Sequence, residues 1–99
     1  MKRRYEIELH PYADGRVMAT IYDDYWNSHM TAFSDPRSGV FHPACYETAS
    51  AKTIQEITTL LPNPKQAGWY AVDVESYPFG TPVRAYRIPG RYQRYTTTR

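Results

Sequence analysis

Large aliphatic side chains are scarce in this 99-residue chain, which has three leucines, five isoleucines, five valines and three phenylalanines. So low a share signals disorder only when a high net charge accompanies it, and here the formal charge is +2. Ten tyrosines and two tryptophans supply the missing apolar area, so the chain is expected to fold around aromatic side chains. Cysteine is nearly absent as well. Cys45 alone cannot close an intramolecular disulfide, and nothing in the composition calls for an oxidising compartment. The opening MKRRYEIEL is basic but lacks the apolar run of a signal peptide. No stretch approaches the roughly 20 apolar residues of a membrane-spanning helix. A cytoplasmic location without membrane contact is expected.

Motifs for chemistry are missing too. Neither a G-x-x-x-x-G-K-[ST] loop nor a G-x-G-x-x-G fingerprint occurs. His42 and Cys45 form one ligand pair where a structural zinc site wants four ligands. They read as a loop histidine and a small buried thiol, with no metal and no other cofactor expected. No glycine-rich elbow surrounds Cys45 as it would a nucleophile. Glu6 with Glu8, and Asp73 with Glu75, pair along strands, but Ser76-Tyr77 follows Glu75 where a two-metal nuclease would often place a lysine. Solvated strand faces account for both pairs. His10 or His29, titrating near neutrality, would suit a metal-independent ribonuclease. That is the third-ranked function, and no catalytic residue is assigned.

What is present is alternation. In RRYEIEL, Tyr5, Ile7 and Leu9 face a core while Arg4, Glu6 and Glu8 face water. Ala13-Asp14-Gly15 then turns the chain into RVMATIYDDY, completing a hairpin. A third strand lies within 26–34, with either Trp26, Ser28, Met30 and Ala32 or Asn27, His29, Thr31 and Phe33 inward. DPRSGVFHPAC, residues 35–45, reads as a loop. Ile54, Ile57 and Leu61, with Leu60 beside them, form one helical stripe, capped by Thr48 or Ser50 and stopped by Pro62-Asn63-Pro64. GWYAVDVES and VRAYRI return as two strands around the turn YPFGTP. The expectation is an α+β fold in the order β-β-(β)-α-β-β. One antiparallel or mixed sheet of four to five strands carries one helix on one face. Residues 1–99 make one small domain, with 96–99 a flexible tail.

Charge is segregated along the chain. Residues 5–79 hold ten acidic against four basic side chains, whereas 1–4 and 80–99 hold only basic ones. Such asymmetry points to a charged partner. Arg84, Arg87, Arg91 and Arg94 have helical spacing, but Pro89-Gly90 breaks that helix. A turn there would set Arg87 opposite Tyr92 and Arg84 opposite Tyr95, each a cation–π pair. The alternative use of these arginines is to pack on tyrosines and pair with Asp73 and Glu75 on the neighbouring strand. Arg84, Tyr86, Arg87, Arg91, Tyr92, Arg94 and Tyr95 are therefore the candidate binding residues. Tyrosine and arginine anchor protein interfaces and also stack and track single strands. The leading expectation is a non-catalytic binding protein, a small inhibitor or accessory factor of the kind phages and plasmids encode. It would dock on a larger protein or nucleoprotein complex. Single-stranded nucleic-acid binding ranks second, and an open edge strand leaves room for a homodimer.

Overall fold

The computed structural model describes residues 2–23, 28–75 and 81–89. Its elements are β1 (Lys2–Pro11), β2 (Val17–Asp23), β3 (Ser28–Ser34), β4 (Phe41–Pro43), α1 (Ala51–Thr58), β5 (Gly68–Glu75) and β6 (Thr81–Ile88). All six strands join one antiparallel sheet in the order β4-β3-β2-β1-β5-β6. The α+β class and the helix on one face are as expected. The strand count is not, because residues 35–45 contain β4. Asp35 and Gly39 make a β3–β4 hairpin in which Gly39 N–H donates to the Asp35 carbonyl at 2.8 Å and the Asp35 carboxylate accepts from Arg37 N–H at 2.7 Å. Gly39 takes a φ of 73°, open to glycine without the usual Cβ penalty. Three residues ending in proline carry too little alternation to be read as a strand.

Pairing decides the two faces. Ile7 opposes Ile21 and Tyr70, and Ala19 opposes Ala32, so these side chains share the face under the helix. That face holds the core: Tyr5, Ile7, Leu9, Val17, Ile21, Phe41, Tyr70, Val72 and Val74 with Ile54, Ile57 and Leu61 from the helical segment. The register left open for β3 is resolved with Met30 and Ala32 inward and His29, Thr31 and Phe33 on the other face. Ser50, one of the two proposed caps, accepts from Thr53 N–H at 3.1 Å. Leu60, off the stripe, is exposed. An eight-residue helix is about 12 Å long, while a flat six-stranded sheet would hold its edges about 24 Å apart. The helix nevertheless packs against both edge strands, β4 and β6, so the sheet curls around it. Among the described residues no helix is long and apolar enough to cross a membrane.

Two expectations about exposure are overturned. Glu8 is fully buried rather than facing water, because β1 is central and neighbours on β2 and β5 close over it. Cys45 is exposed rather than a packed thiol, because it lies in the loop after β4, beyond the sheet edge. Gly90 of the expected turn, Tyr92 and Tyr95 of its Arg–Tyr pairs, the 77–80 part of the YPFGTP turn, and the 96–99 tail lie outside the described residues.

Two substitutions test this packing. Ile54→Ala removes a fully buried side chain from α1 and is expected to cost about 2–5 kcal/mol in urea unfolding. Gly68 has a φ of 138°, and an added Cβ would meet the Arg87 guanidinium at 3.3 Å. Gly68→Ala is expected to lose about 1–3 kcal/mol through backbone strain, and the Gly68→Ala/Arg87→Ala double variant should recover none of the part due to φ.

Candidate binding surface

Among the described residues no helix covers the second face of the sheet, and two groups of side chains organise it. The first is ionic. Asp73 on β5 stands between Arg4 on β1 and Arg84 on β6, since Arg4 and Arg84 are its register partners on either side. The Nε of Arg4 donates to Asp73 Oδ1 at 2.8 Å, and the Nε of Arg84 donates to Oδ2 at 2.9 Å. Both guanidinium carbons also lie over the ring of Tyr86, at 5.7 Å and 4.9 Å from its centroid. The basic N-terminal strand and the basic C-terminal strand thus meet across one carboxylate. The hydrogen bond from Arg4 is the largest influence holding the Asp73 carboxyl below the ordinary aspartate range; partial burial opposes it, and the Arg84 hydrogen bond reinforces it. The same bond raises the Arg4 pKa.

Val83 makes this arrangement possible. The β5–β6 register shifts at Asp73/Val74, where Pro82 pairs with Val74 and Arg84 with Asp73. Val83 is the extra residue and stays exposed. Such a bulge re-aims the side chains that follow it. Beyond it Arg84 and Tyr86 share the helix-free face, while Arg87 falls on the helix side. There the Arg87 guanidinium lies across Gly68. Burial holds the Tyr70 hydroxyl above its ordinary pKa, and the Arg87 charge partly offsets that. Of the candidate residues read from sequence, Arg84 and Tyr86 are brought together and Arg87 is separated from them. Arg91, Tyr92, Arg94 and Tyr95 lie outside the described residues.

The second group is aromatic. A depression of about 470 Å³ is lined by His10, Tyr12, Met18, Thr20, Tyr22, His29, Thr31 and Tyr46. Thr20 and Thr31 are cross-strand neighbours and buried, so they form its floor. At one end the Tyr12 ring meets His10 and Phe33 edge-on at 5.4 Å and 5.9 Å, with the Arg16 guanidinium over both Tyr12 and Phe33. At the other, Tyr22 lies against His29 and stacks on Trp69 at 5.5 Å, the two rings meeting across β1. Tyr46 stands on the rim, 72% exposed. Its loop is pinned to β3: Ala44 N–H donates to the Thr31 carbonyl at 3.0 Å, and the Glu47 carboxylate accepts from Thr31 N–H at 2.7 Å.

Tyr46, Glu47 and Arg4 were not singled out from sequence. The Arg4–Asp73 contact spans 69 residues, and only the strand order brings its members together. His10 and His29 do line one depression, but two strand spacings and four residues separate them along the register. Strand geometry puts their Cα atoms about 16 Å apart. Among the described residues no three His, Cys, Asp or Glu side chains come together to hold a metal ion.

The lowered Asp73 pKa gives a pH dependence of definite sign. A carboxyl whose folded pKa lies below its unfolded value stabilises the fold in full above that unfolded value, near 3.8. The contribution is lost as pH falls through the folded value. Acid unfolding followed between pH 6 and about pH 2 should therefore show a shallower loss of stability in Asp73→Asn than in the unsubstituted chain. Identical slopes would show that the two arginines do not stabilise the ionised carboxylate. Compared with protein-family models, with curated proteins and with solved structures, the chain matches none.

Proposed function

We propose that this chain is a non-catalytic binding protein, a small inhibitor or accessory factor that docks through the helix-free face on a larger protein or on the protein part of a nucleoprotein complex. The observation that carries the reading is Tyr46: a largely exposed ring on a loop fixed by backbone and carboxylate hydrogen bonds, at the rim of an aromatic depression. An exposed aromatic side chain on a loop already fixed in place costs less ordering on binding than one on a loop that must be ordered. Tyrosine and arginine, both abundant on this face, are also the residues that most often dominate interface energies. Single-stranded nucleic acid is the weaker fit. It needs open aromatic faces on which bases stack, and two guanidiniums already occupy the Tyr86 ring.

The test is affinity capture from a native lysate with the unsubstituted chain and Tyr46→Ala in parallel, their folds compared by circular dichroism. One protein should be retained in near-stoichiometric amount by the first and bound at least about tenfold more weakly by the second. Equal retention by both chains would overturn the reading. So would tighter binding of a labelled single-stranded oligonucleotide than of any protein, with the steep salt dependence of phosphate contacts.

A further inference from the structure

We propose that Arg4 and Arg84 form a two-guanidinium clamp for the carboxylates of an acidic segment on the protein partner, an assignment that rests on reading the helix-free face as the docking surface. Each arginine is fixed through Nε alone, on one oxygen of Asp73. An arginine carries five N–H donors in a rigid planar fork, so both Nη groups of each remain available beyond the Asp73 bond. The side chains of Arg4 and Arg84 are 48% and 66% exposed, against 14% for Asp73. The brace is therefore inside and the donors are outside. Shared attachment to one carboxylate and one tyrosine ring holds both guanidiniums in place before any ligand arrives. Bidentate binding of a carboxylate depends on such fixed geometry.

Charge selects the kind of anion. Two guanidiniums on one carboxylate leave a local excess of one positive charge, in a chain whose residues 5–79 carry ten acidic against four basic side chains. Glu6 faces the same side as the clamp, opposite Ala71 on β5. A polyphosphate backbone running from the clamp along β1 would meet Glu6. A short acidic segment places its charge on the clamp alone, and discrimination by repulsion of the wrong partner is a common device. The Cα atoms of Arg4 and Arg84 are two strand intervals apart, about 10 Å, and their guanidiniums converge from there on the two oxygens of Asp73. Two carboxylates on alternate residues of an extended segment, about 7 Å apart, reach both forks with their side chains.

The experiment follows the side-chain Nε–H signals of Arg4 and Arg84 by heteronuclear NMR while hexaglutamate is added at low salt. Hexaglutamine and a twelve-nucleotide oligothymidylate serve as comparison probes. Hexaglutamate should shift both signals saturably, hexaglutamine should shift neither, and the oligonucleotide should bind more weakly than hexaglutamate. Arg4→Gln and Arg84→Gln should each weaken the hexaglutamate titration about tenfold. Arg84→Lys, which keeps the charge and loses the fork, should fall between. Unmoved Nε signals, or tighter binding of the oligonucleotide, would sink the clamp. If the same signals shifted with protein concentration alone, the occupant would be the acidic surface of a second copy, and the assignment to a different protein would be wrong. Failure of the clamp with Tyr46-dependent capture intact removes only this inference. Capture independent of Tyr46, with the NMR result as expected, removes the docking reading and leaves a carboxylate site.

Discussion

One eight-residue helix has to serve a six-stranded sheet with two faces. The chain meets that constraint by curling the sheet, so that Ile54 and Ile57 reach a core built from every strand but β6. Ala85 of β6 packs against its margin. The helix then has nothing left for the opposite face, where backbone and side chains must be shielded by other means. Tyr22 and Trp69 stack across β1, Tyr12 and Phe33 pack at the hairpin end, and the Glu47 carboxylate meets the Thr31 N–H beyond the short strand β4. A chain with few leucines and many tyrosines suits this architecture, because a tyrosine ring buries apolar area and still presents a hydroxyl to water.

The same constraint concentrates charge. β1 and β6 carry the basic ends of the chain, and β5 between them carries Asp73. Parallel-running cations on adjacent strands would repel, so an acidic strand between two basic ones is a stabilising order. The pairs themselves are exposed and individually worth little. Their larger consequence is geometric: two arginines are directed onto one carboxylate and one ring, on a face that also presents an exposed tyrosine. Rigid anchors of this kind are what distinguish a docking surface from an ordinary solvated one.

Much of the fold was legible because a period of two is local information. The β1 and β5 alternations, the hairpin at Gly15, the Ser50 cap and the Ile54–Ile57–Leu61 stripe each depend on a few consecutive residues. Strand β4 was missed for the opposite reason: Phe41–Pro43 is too short to show a period, and its proline and the glycine before it read as loop. Glu8 was placed in water because alternation tells which face a side chain takes and says nothing about what else lies over that face.

The candidate site divides along the same line. Arg84 and Tyr86 were legible as an alternating Arg–Tyr pattern, and a pairing with Asp73 was among the readings of that strand. Arg87 was grouped with them because spacing in a string does not reveal the bulge at Val83, which sets the register of β6. Arg4 and Tyr46 could not be found, since neither sits in a motif and each is given its role by a strand or loop far away in the chain. By itself the amino-acid order determined the helix, every strand but β4, the inward faces of β1, β2 and β5, and the segregation of charge, all of which are set by neighbours a few residues apart. Only the tertiary structure decided that β1 lies at the centre, that both basic ends meet on Asp73 and that the second face is left to aromatic rings. Those outcomes follow from the strand order, and strand order is set by cooperative packing among residues distant in sequence.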